Sequence, residues 1–78
     1  MSIEIADKVW KTELYSPLQK IVLLAMATET DERGVTSLTK EQIASMCDIS
    51  VDTASYVIDV LEKKGFVIVV NNGYLVNL

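Results

Sequence analysis

The stretch TKEQIASMCDISVDTASYVIDVLEKKG, residues 39–65, decides the fold: it reads as two short helices joined by a tight turn. Thr39 opens the first helix, because its hydroxyl suits the backbone N–H three residues on while Gln42 reaches back in return, a capping box. Behind it Ile43, Ala44, Met46 and Cys47 form an apolar stripe at helical spacing, with Ala44 small enough for a second helix to approach closely. Asp48 stands where a turn between crossed helices commonly carries Gly, and Asp tolerates the left-handed conformation better than most residues. Ile49 is expected to tuck inward and Ser50 to cap the next helix. That helix, residues 51–64, separates its residues cleanly at about 100° per residue. Ala54, Val57, Ile58 and Leu61 share one face; Asp52, Ser55, Tyr56, Asp59 and Lys63 share the other. Lys63 and Lys64 complement the dipole of the last turn, and Gly65 supplies the stop.

Working outward, residues 66–78, FVIVVNNGYLVNL, carry a hairpin signal in Asn72-Gly73, since a type I′ turn needs positive φ at both central positions. Pairing across it places Asn71 opposite Tyr74, Val70 opposite Leu75 and Val69 opposite Val76. Phe66, Ile68 and Val70 point one way and Val67 and Val69 the other, so both faces of the first strand are apolar. Something is expected to cover the second face, either the segment of residues 3–10 or another protein chain. Toward the N-terminus, Ser16, Pro17 and Gln19 mark a helix start with Pro at its first position and a second Ser-x-x-Gln box. The apolar run from Ile21 to Ala27 makes this the central helix, covered on most sides. A polar loop at 28–34 ends at Gly34, and residues 35–38 fit a short strand. Residues 3–14 mix two patterns: Ile3 and Ile5 alternate as in a strand, then Ala6, Val9 and Trp10 follow helical spacing. An extended lead-in and a turn or two of helix are expected, with Trp10 packed on the core.

Seventy-eight residues, half of them apolar, suit one globular domain spanning 1–78. The single Cys47 and the absence of His give no support to an internal disulfide, metal ligation or imidazole catalysis, and Cys47 reads as a small buried hydrophobe. No cofactor motif occurs, and Asp52 and Asp59, about 10 Å apart along one helix, lack anything to separate their pKa values, so an enzyme is not expected. The N-terminus lacks the basic start of a secretion signal and no apolar run is long enough to span a bilayer, so the expected location is cytoplasmic. Seven basic residues stand against eleven carboxylates, a net charge of −4, which disfavours nucleic acid without excluding a local basic patch.

The pieces VWKTEL, SPLQKIVLLAMA, LTKEQIASMCDIS and TASYVIDVLEKKGFV, about three quarters of the chain, resemble the winged helix-turn-helix domain of phage and plasmid replication-initiator proteins of the lambda O-like type. The resemblance implies an α+β, mainly α architecture: a single winged-helix domain with three helices, a short strand and a C-terminal β-hairpin as the wing. Family members carry Arg at several outward positions of the second helix and use them on DNA. Here the corresponding positions hold Val51, Asp52, Tyr56 and Asp59. The expected function is therefore that of a small acidic regulator, of phage or mobile-element origin, that grips a protein partner with a basic surface through Asp52, Ser55, Tyr56, Asp59 and Lys63. Such a face would suit competition for a nucleic-acid-handling or defence complex such as CRISPR. The alternative is a DNA-binding winged helix using Lys8, Lys11, Lys40, Lys63 and Lys64 on phosphates, with Ser55 and Tyr56 near bases. The doubly apolar strand also favours a homodimer.

Overall fold

Three capped starts, at Ser16, Thr39 and Ser50, each open a helix in the computed structural model, which describes residues 3–78. The order is α1 (Ile3–Lys11), α2 (Pro17–Thr28), β1 (Val35–Thr36), α3 (Lys40–Cys47), α4 (Val51–Lys63), β2 (Val67–Val70) and β3 (Gly73–Val76). The fold is α+β and mainly helical, with four helices rather than the three expected and one antiparallel sheet in the order β1-β3-β2. No helix among the described residues is long and apolar enough to cross a membrane.

α2 is the central helix: it packs against α1, α3, α4 and β3. Val22, Leu23, Met26 and Ala27 of α2 meet Val9, Leu14, Ile43, Val57, Ile58, Leu61, Val67 and Val76 in one core. Burial of that apolar set is the main force holding the domain together. The helix is nevertheless less enclosed than its composition implies, for Ile21 is 49% exposed. Ser16 accepts from the Gln19 N–H at 3.2 Å, but the expected reciprocal bond is replaced. The Gln19 Oε1 instead accepts from Lys64 Nζ at 2.6 Å, which ties the start of α2 to the end of α4.

The N-terminal segment departs furthest from expectation. Residues 3–5 are helical, not extended, because Ile5 and Val9 lie one turn apart and both turn toward the core. Trp10, expected to pack on the core, is 66% exposed. The end of α1 is instead held by Lys20, whose ammonium donates to the carbonyls of Val9 (2.8 Å), Trp10 (2.9 Å) and Thr12. Three carbonyls at and just past the end of α1, of which that of Val9 also accepts from the Thr12 N–H at 3.1 Å, thus share one cation. Tyr15, at φ +57°, turns the chain into α2.

The hairpin forms, with a different register. Val67 pairs with Val76, Ile68 with Leu75, Val69 with Tyr74 and Val70 with Gly73, so each β2 residue meets β3 two positions earlier than expected. Asn71 and Asn72 make the turn, and neither has positive φ, so it is not the expected type I′ turn. The reason is β1. A Cβ on Gly73 (φ +149°) would lie 1.9 Å from the Thr36 carbonyl oxygen, so this position pairs inside the sheet where only glycine admits the neighbouring backbone. A slip of two residues preserves the alternation of faces. Val67, Val69, Tyr74, Val76 and Thr36 therefore share the helix side, and Ile68, Val70, Leu75 and Val35 the outer side. The space beside Gly34 is bordered by the Ile5 and Leu75 side chains, so α1 reaches the sheet just before β1, while Ile68 on the outer side stays 43% exposed.

Candidate functional site

The helix pair forms as its caps dictate. Thr39 Oγ1 accepts from the Gln42 N–H at 3.1 Å and Gln42 Oε1 accepts from the Thr39 N–H at 2.9 Å, the full capping box. Asp48 takes the left-handed conformation (φ +56°, ψ +43°), and the Ile49 N–H returns to the Ala44 carbonyl at 3.1 Å. Ser50 Oγ accepts from the Thr53 N–H at 3.1 Å to start α4. The phase of α4 is fixed by Ala54, Val57, Ile58 and Leu61, all buried against the core. In α3 the stripe is narrower than expected. Met46 is 48% exposed, and Cys47 is only half-buried, its Sγ 3.8 Å from the Ile21 carbonyl oxygen. Desolvation, with Asp48 adding, pushes the Cys47 thiol above its ordinary pKa, so it is a poor thiolate.

Asp52, Tyr56, Asp59 and Lys63 all lie exposed on the outer face of α4, with Tyr56 70% exposed. Ser55 departs from this stripe: it is half-buried, and its Oγ accepts from Lys40 Nζ at 3.1 Å, linking the start of α3 to α4. Among the described residues ion pairs form between Lys11 and Asp7 (2.8 Å) and between Arg33 and Asp31 (3.3 Å), so neither Asp52 nor Asp59 has a cation within ion-pair distance.

The lysines of the alternative set come from three helices, α1, α3 and α4, with Lys64 directly after α4. Lys8 and Lys11 are on α1, which packs on α2, and Lys11 is committed to Asp7, whose hydrogen bond and charge raise the pKa of the ammonium. Lys64 is spent on Gln19 and Lys40 on Ser55. Lys20 and Arg33 are likewise occupied, leaving the ammonium groups of Lys8 and Lys63 without a partner among the described residues.

One residue that sequence reasoning passed over belongs to this region. The two-residue slip moves Tyr74 from opposite Asn71 to opposite Val69, on the helix side of the sheet. There burial raises the pKa of its phenol, and the negative charges of Asp59, Glu41 and Glu62 raise it further. An open groove of about 370 Å³ lies at this end of the sheet, lined by Leu38, Thr39 and Lys40 on one side and by Val69, Val70, Gly73 and Tyr74 on the other. No group of three or more His, Cys, Asp or Glu side chains among the described residues is arranged to hold a metal ion.

No protein-family model, curated protein or solved structure matches this chain.

Proposed function

We propose that this domain is a winged helix, with β2 and β3 as its wing, that acts by gripping a protein partner with a basic surface through the outer face of α4. The carrying observation is that Tyr56 stands 70% exposed between Asp52 and Asp59, neither of which is ion-paired among the described residues. An exposed aromatic ring flanked by unpaired carboxylates is the chemistry of a protein-binding anchor. The same face set against DNA would bring two carboxylates to the phosphates with no arginine beside them. The domain is not an enzyme on this reading but a regulator. A phage or mobile-element protein of this form would work in the cytoplasm by occupying the nucleic-acid-binding surface of a host replication, transcription or defence complex, CRISPR included.

The test pairs two assays on the same variants. Tagged protein should retain a partner from nuclease-treated host extract, and Tyr56→Ala should weaken that complex by about 2 kcal/mol or more. Asp52→Lys with Asp59→Lys should also slow association, less so at high salt. Duplex DNA should bind no tighter than about 10 μM at physiological salt. A tight DNA complex that weakens steeply with salt, and strengthens in the double lysine variant while the protein complex is unaffected, would sink the proposal.

A further inference from the structure

The chain has three asparagines, Asn71, Asn72 and Asn77, and their surroundings differ. The Asn77 side-chain amide donates to the Gly65 carbonyl at 2.9 Å, which holds it in place. Asn71 is followed by Asn72, whose own side chain crowds the peptide nitrogen between them. Asn72 is exposed in the hairpin turn, its side-chain amide makes no hydrogen bond to the other described residues, and the next residue is Gly73. With no Cβ on that glycine, the path from its backbone nitrogen to the Asn72 side-chain carbonyl carbon is open, and joining the two atoms closes a five-membered imide ring. One interaction opposes the closure. Val70 pairs with Gly73, and the Asn77 N–H bond to the Phe66 carbonyl sets the alternation, so the Gly73 N–H faces the Val70 carbonyl in the ladder. The nitrogen is free to attack only when this last rung opens, and the end of a hairpin opens at less cost than its middle.

We propose that Asn72 is a site of spontaneous deamidation, gated by opening of the Val70–Gly73 rung. The Gly73 nitrogen gives up its proton and bonds to the Asn72 Cγ, and the side-chain amide nitrogen leaves as ammonia. Water then adds to either carbonyl of the imide and breaks one C–N bond, so the net change is amide plus water to carboxylic acid plus ammonia. Opening at the side-chain carbonyl leaves an ordinary aspartate at position 72; opening at the backbone carbonyl leaves an isoaspartate, whose main chain runs through the side-chain methylene. The two products act differently on the sheet. Aspartate keeps the length of the turn and places a carboxylate at a recess of about 260 Å³ that Asn72 lines together with Arg33. Isoaspartate adds one carbon to a turn of two residues, beside a Gly73 whose added Cβ would already lie 1.9 Å from the Thr36 carbonyl oxygen, so β1 must give way there.

The test incubates the full chain in mildly alkaline buffer, folded and in guanidinium chloride, and follows it by peptide mass spectrometry and by labelling with isoaspartyl methyltransferase. Asn72 should convert first while Asn71 and Asn77 persist, and the rate should rise with pH because the attacking nitrogen must lose its proton. The folded chain should react about tenfold more slowly than the unfolded one, as a gated site requires. Asn72→Ser, at an exposed turn position, should melt as the parent does and yield no isoaspartate. In amide spectra the isoaspartyl product should shift Val70 and Thr36, whereas Asn72→Asp should leave Thr36 in place. Earlier conversion at Asn71 or Asn77, equal rates in the folded and unfolded chains, or a folded chain that stays intact while the unfolded one is consumed would overturn the proposal. An isoaspartyl product with Thr36 unmoved would overturn the effect on the sheet.

Discussion

Lys20 has the largest task of any single side chain outside the core. Its ammonium meets three carbonyls at the end of α1, a segment that otherwise leans on Val9 and a few half-buried neighbours. Hydrogen bonds to a charged group contribute about 1.5–3 kcal/mol, so Lys20→Met, which keeps the stem and removes the donors, should cost about 2 kcal/mol in urea unfolding. A cost indistinguishable from zero would mean that water serves those carbonyls equally well. Gly73 acts by what it lacks. Because a Cβ there would lie 1.9 Å from the Thr36 oxygen, Gly73→Ala must push β1 off β3. We expect a loss of about 2 kcal/mol or more, and a change in amide shifts centred on Thr36. Unchanged shifts at Thr36 would show that the two strands are not in this register.

At the scale of elements, α4 carries the clearest division between packing and surface. Leu61 is fully buried on its inner face and Asp59 is exposed on the outer one, two residues away. Leu61→Asp should therefore unfold the domain by placing a charge in the core, whereas Asp59→Ala should leave its melting temperature within a few degrees of the parent. Equal melting of the two variants would contradict the phase of the helix. The α3–α4 pair was legible in the sequence because its signals are local: Thr39 with Gln42, Ser50 with Thr53, and apolar residues at helical spacing. The elements that misled did so through distant partners. Gln19 looked like half of a capping box until Lys64, 45 residues on, took its side chain. Asn72-Gly73 looked like a type I′ turn until the backbone of Thr36 claimed the space beside Gly73. The α4 stripe was readable as a stripe, but the place of Tyr74 opposite Val69 was not, since it depends on a register that β1 helps to set.

For the whole molecule, the open question of the outer sheet face becomes one about an edge. β2 is the last strand of the sheet. The Asn77 N–H donates to the Phe66 carbonyl at 2.9 Å, so by antiparallel alternation Val67 and Val69 turn their backbone groups away from β3. That edge carries no charged residue or proline, and Ile68 and Val69 beside it are exposed. Two copies pairing β2 to β2 about a twofold axis would satisfy those groups and join their outer faces. Light scattering should then report about twice the 8.7 kDa chain mass at high concentration, falling to one chain in Ile68→Lys. A single-chain mass at every concentration would show that water alone satisfies the edge. The position of Trp10 has a practical consequence for all these measurements. As the only tryptophan, and 66% exposed, it already has the emission environment of an unfolded chain. Its fluorescence will follow what lands on α1 and scarcely register the melting of the core, so unfolding is better followed by circular dichroism, leaving the indole as an optical probe for partners that dock beside it.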